Sequence, residues 1–343
     1  MEDTQLSVAV WRPAEQWQAD DKAVELRMQG YARRSRTMAI GIVVPLVLAA
    51  AMFGLHSIGL MVLFLLNAAW GLISGVRHQM RVGRWLPAAR SLLSGNPSHR
   101  VAARVVAHKG NRTVLAVGPM HLRVEPVLWG TRQVIARTGE ITMVGPDAEG
   151  HAVVFVDGQP MPLPAKVVEA PEPMEAEPIA RVSANAAEDA VTQWFATRFA
   201  RLMWAPAGIL VLMLAALAFD AQQSRFSSIW IVFVGLLICA IVLTLRMTDQ
   251  TRLPKLLKTG QWQAHPVTVE EWKGNVRVPA GDLTVKLGVP GGEYRLVVKQ
   301  ASAELVANVS ATGTLWMVGQ PTARKPAAVG VPGYPIVAIA RFQ

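Results

Sequence analysis

The residue types able to do chemistry are few and scattered along this chain. Seven histidines stand at His56, His78, His99, His108, His121, His151 and His265, and none forms a His-x-x-x-His pair or a Cys-His set of the kind that places metal ligands on one helix face. The single cysteine, Cys239, lies inside an apolar stretch, which excludes an intramolecular disulfide and any site needing two of its own thiolates. No Gly-rich loop ends in Lys-Ser or Lys-Thr to cradle a phosphate, and no Gly-x-Ser-x-Gly elbow presents a nucleophile. The sequence therefore predicts a non-enzymatic protein with no catalytic residue, no metal and no cofactor.

The elements that would position chemistry explain its scarcity. From Thr37 to Val76 there is no Asp, Glu, Lys or Arg, enough chain to cross a hydrocarbon core of about 30 Å twice. The break at Gly54–Gly59 divides it into spans over 38–53 and 57–76. A second apolar pair covers 202–219 and 228–245. With 52% hydrophobic and 17% charged residues, a bilayer is the expected solvent. Ionisable groups at depth mark proton relays and coupled transport, and the spans carry none beyond Cys239. Asn67 is their one amide; with Gly71 and Gly75 it reads as a helix-packing position.

Basic residues collar the open ends of both hairpins: Arg33, Arg34, Arg36, Arg77, Arg81 and Arg84 at the first, Arg201, Arg246, Arg252, Lys255 and Lys258 at the second. They are candidate contacts for anionic lipid headgroups, each worth about 1 kcal/mol at a membrane surface. By the positive-inside rule, both termini and both polar regions face the cytoplasm of a multi-pass inner-membrane protein.

Self-similarity organises the rest. At an offset of 167, Arg34 meets Arg201, Gly41-Ile42 meets Gly208-Ile209, and Leu86-Pro87 meets Leu253-Pro254. The offset drifts to 164 at Lys109-Gly110-Asn111 against Lys273-Gly274-Asn275, and to 174 at Gly139–Gly145 against Gly313–Gly319. The expected fold class is membrane α+β: four transmembrane helices as two parallel hairpin repeats, each followed by a small all-β cytoplasmic domain, barrel-like or sandwich. Its parts are an N-terminal segment with a pre-membrane helix (1–37), a hairpin (38–76), a β module (77–166), an acidic Pro/Glu/Ala linker read as an extended tether (167–189), a second pre-membrane helix (190–201), a second hairpin (202–245) and a second β module (246–343). Period-two alternation places strands at 99–107, 113–117, 121–125, 140–144 and 152–156, then at 267–272, 283–287, 294–299, 304–308, 314–318 and 336–342.

Arg100, Arg104, Lys109, Arg112 and Arg123 make the first module basic, but no aromatic is interleaved with them before Trp129, which argues against nucleic acid. The layout of a membrane hairpin followed by a small β domain is similar to that of the NfeD-like membrane proteins in architecture alone. The partners expected are the bilayer and a protein held by the paired β modules, with the chain scaffolding a membrane complex; self-association is left open. The alternative is a small oligomeric channel or passive permease.

Overall fold

The computed structural model describes residues 6–13, 22–54, 58–172, 174–175, 177–202, 204, 208, 211–212, 215, 237, 240–241, 250–274, 280–289, 292–319 and 325–342. It divides into a helical unit, Ala32–Met80 with Arg198–Arg252, and a β unit, Met1–Tyr31, Arg81–Thr197 and Leu253–Gln343.

The helical unit is built on α1 (Lys22–Gly54) and α2 (Ile58–Val82). Both are long and apolar enough to cross a membrane, and only 17% and 11% of their most apolar windows are buried. Val47, Phe53, Leu66 and Trp70 are exposed, an outward apolar surface that suits a lipid solvent. The two helices touch through small residues. A Cβ on Gly71 would stand 2.9 Å from the Gly41 carbonyl oxygen, and one on Gly75 would meet Met38. Where α1 ends and α2 begins, Met52 and Leu60 are buried together with Met61 and Phe64 against them. The expected pre-membrane helix and first span are one continuous helix, with Pro45 inside it. The expected second hairpin, 202–245, lies almost wholly outside the described residues, so two candidate spans are observed rather than four.

In the β unit, α3 (Trp85–Gly95) packs its buried stripe of Trp85, Ala89, Leu92 and Leu93 on the sheet that follows. That sheet holds β1 (His99–Ala102), β2 (Arg104–Lys109), β3 (Arg112–Val117), β4 (Met120–Val124), β5 (Glu140–Val144), β6 (His151–Val156) and β7 (Gln159–Val168), with α4 (Trp129–Thr138) between β4 and β5. The strand order is β1-β5-β6-β7-β4-β3-β2, a half-barrel. After α5 (Ala190–Leu202) and α6 (Leu253–Leu256) come β8 (Trp262–Trp272), β9 (Ala280–Val289), β10 (Gly292–Ser302), α7 (Ala303–Thr312), β11 (Thr314–Val318), β12 (Pro326–Gly330) and β13 (Val337–Phe342), closed into a six-stranded barrel.

The two sheets are separate, and some of their pairings correspond in position. His99 pairs with Met143 where Gln263 pairs with Met317, and Ala102 pairs with Glu140 where Pro266 pairs with Thr314. These pairs stand at the offsets of 164 and 174 read from the sequence. The bulge between Val105 and Ala107 of β2 falls at the same place as that between Val269 and Glu271 of β8. α4 and α7 each end on a left-handed glycine, Gly139 and Gly313, whose N–H donates to Ile135 and Val309 respectively. The closure differs at one residue. β8 runs unbroken from its partner β11 to its partner β9, whereas β1 and β2 divide that role around Ala103.

The segment expected as a strand at 304–308 is helix α7. The Ser302 hydroxyl caps it by accepting from Leu305 N–H, and Gly313 ends it. Strand β7 carries Pro160, Pro162 and Pro164, which have no N–H to give, and its ladder with β6 shifts register beside them, between Val154 and Val156. The carbonyls of Pro162 and Pro164 accept from the Tyr31 hydroxyl and the Glu125 N–H, on the flank where β4 pairs only with 165–168. One hydrophobic core runs through both sheets, from Leu122, Val134 and Val154 to Leu296, Val309 and Ile336. The acidic linker, expected as a tether, is seated on this unit: Ala186 and Asp189 are fully buried, and Trp262 N–H donates to the Ala184 carbonyl.

Candidate functional site

The two β modules are joined through their last hairpin turns. Gly158 turns from β6 into β7 with φ of +74°, and Gly333 turns from β12 toward β13 with φ of +76°. Each turn lies against the other module. The Asn308 amide on α7 donates to the Gly158 carbonyl at 2.7 Å, while its oxygen accepts from Trp11 N–H at 2.9 Å. Reciprocally, Arg137 on α4 donates to the Gly333 carbonyl at 3.0 Å and stacks 5.1 Å over the Tyr334 ring. A Cβ on Gly158 would strike that same ring at 2.9 Å.

Asp189, just before α5, completes the joint. Its carboxylate accepts from Gly333 N–H and, at 3.1 and 2.8 Å, from the Thr192 N–H and hydroxyl, capping the helix. Burial nevertheless pushes its carboxyl above the usual range, against the lowering effect of these donors and of Arg137. Burial likewise raises the Tyr334 hydroxyl, with Arg137 opposing it. Arg27 on α1 adds an ion pair to Glu304 on α7.

A groove of about 590 Å³ follows the free edge of β2. Its walls are Ala102, Val105, Ala116 and Ala136, with Arg104, His108 and Arg132 as polar groups. The linker forms its remaining wall, through Met174, Glu175, Glu177 and Ile179. Glu177 takes two hydrogen bonds of 3.2 Å from the buried guanidinium of Arg132, which also donates to the Gly110 carbonyl. A second depression, of about 750 Å³, is lined by Arg84, Ser91, Asn96, His99, Asp147 and Glu149. Among the described residues no cluster of His, Cys, Asp or Glu could hold a metal.

The basic collar residues differ in their individual surroundings. Arg33, Arg34, Arg77, Arg201, Arg252, Lys255 and Lys258 are exposed, Arg36 lies within α1, and Arg246 is outside the described residues. Arg81 pairs with Glu125 at 2.7 Å, and Arg84 lines the larger depression. Gly71 and Gly75 sit at the contact of α1 with α2, whereas Asn67 is exposed. Asn308, Asp189, Arg132 and Tyr334 escaped sequence reasoning because each works through partners more than 20 residues away or through burial, neither of which leaves a local pattern. No protein-family model, curated protein or solved structure matches this chain.

Proposed function

We propose that the chain is a multi-pass membrane protein whose two β modules arose as copies of one unit and act together as a rigid platform that docks a protein partner at the membrane face. The observation that carries this reading is the joint. Two sheets of matching register bury one core and exchange hydrogen bonds turn to helix, so they present a single preorganised surface. Preorganisation lowers the ordering cost of binding. The same reading takes the apolar chain at 202–245 as a second hairpin parallel to the first. The basic collars support a cytoplasmic platform: Arg33, Arg34, Arg77 and Lys258 are each exposed, as contact with anionic headgroups would require. Chemical crosslinking in native membranes followed by purification tests it: a second protein in fixed ratio is expected, and recovery of this chain alone contradicts it.

A passive permease has one observation in its favour. Asn67 is exposed on α2 within an otherwise apolar stretch, where an amide facing lipid is costly and one facing water or another helix is not. Solute flux in liposomes that is lost on Asn67→Leu would support that reading over the platform.

A further inference from the structure

Strand β2 is hydrogen-bonded to β3 on one side only, and along its other side lies a strap of the chain itself. Met174 N–H donates to the Val106 carbonyl at 3.2 Å, and Met174 Sδ accepts from His108 N–H at 3.4 Å. Three residues on, Glu177 holds Arg132 and comes within 3.7 Å of His108 Nε2. The seating is shallow: Met174 and Ile179 are 50% and 55% exposed. Among the described residues, this six-residue strand edge is covered by one main-chain hydrogen bond to a carbonyl, one thioether contact and one carboxylate. The anchor beneath is not shallow. The Arg132 side chain is 8% exposed, and among the described residues its one carboxylate partner is Glu177. A buried guanidinium left without a counter-charge is costly, so whatever lies in this groove must bring an acid to that point.

We propose that the β2 groove is a docking site for an extended acidic segment of a protein partner, which adds along β2 and displaces residues 174–179, its carboxylate replacing Glu177 on Arg132. The inference rests on the reading of the β unit as a partner platform and names where on it the partner sits. Main-chain bonds to the strand edge supply affinity and the side chains supply specificity, here an apolar residue followed three positions later by an acid. The strap itself shows that such a pattern fits. Because it is tethered, it competes at a high effective concentration, and it thereby holds the site against weak ligands.

The test uses the full chain in nanodiscs and a fluorescent peptide spanning residues 169–180. Loosening the strap with Met174→Ser and Glu177→Gln removes the internal competitor, and peptide affinity is expected to rise about tenfold or more over the unaltered protein. A peptide carrying lysine at the Glu177 position should lose that binding without any change to the protein. A peptide that binds neither protein, or both equally, while circular dichroism shows the strand signal retained, overturns the proposal. If a partner crosslinked in native membranes is not released by excess peptide, the groove assignment falls and the platform reading stands; if no partner is captured at all, both fall.

Discussion

The Asn308 side chain holds the Gly158 carbonyl of the other β module at 2.7 Å, and so one amide fixes a turn 150 residues away. The same amide oxygen receives Trp11 N–H, and the whole group is buried. Replacement by leucine keeps the branched shape, at a somewhat larger volume, and leaves a buried carbonyl and a buried N–H without this partner. The cost expected is about 2–4 kcal/mol. Denaturant unfolding of the purified full chain in detergent measures it; a loss within 0.5 kcal/mol, about the scatter of surface substitutions, would mean the joint does not hold the modules.

The hairpin makes a paired prediction on two glycines. Gly71→Ala puts a methyl group 2.9 Å from the Gly41 carbonyl oxygen, a backbone atom that cannot swing aside. Gly41→Ala meets nothing within 4 Å. The first should lower stability by about 1–3 kcal/mol. The second should be neutral or gain slightly from helix propensity. Thermal melts of both variants in the same micelle decide it.

Asp189 predicts a pH dependence of defined sign. Its carboxyl is raised by burial above the ordinary 3.8, so the folded chain holds that proton more tightly than the unfolded chain does. The contribution is therefore fully present below 3.8 and is lost as pH rises through the raised folded value. Unfolding midpoints of the parent and of Asp189→Asn, taken from acid to neutral pH, should differ most in the parent's favour at the acid end. A difference independent of pH would contradict the assignment.

Much of the β unit was legible because alternation and turn glycines are local signals. Strands at 113–117, 140–144 and 314–318 fall where period two put them. Helix α4 was missed because its buried face is largely polar, Thr131, Arg132 and Gln133 beside Val134 and Ile135, so no apolar stripe of helical period marks it. Helix α7 was misread as a strand because Leu305, Ala307 and Val309 alternate; its Ser302 cap was the available signal. Strand β7 was missed through its prolines, and the seating of 167–189 was missed because Glu177 and Asp189 find partners only after folding. The joint was not legible at all, since Asn308 and Arg137 act across modules.

Orientation has its own test. In a Cys239→Ser background, a cysteine at Asn111, exposed beside the β2–β3 turn, should react with a membrane-impermeant maleimide only after the membrane is opened. A cysteine at Gln223 should react from outside in intact cells. Reaction of both from outside would reverse the sidedness.

The most direct measurement is site-resolved photo-crosslinking in native membranes, with the probe placed at Arg123 on β4 and Lys299 on β10, one exposed position on each module. The platform account predicts that both positions yield adducts with the same second protein, and that Asn308→Leu, by loosening the joint, weakens the two together. Adducts with this chain or with lipid alone would contradict it.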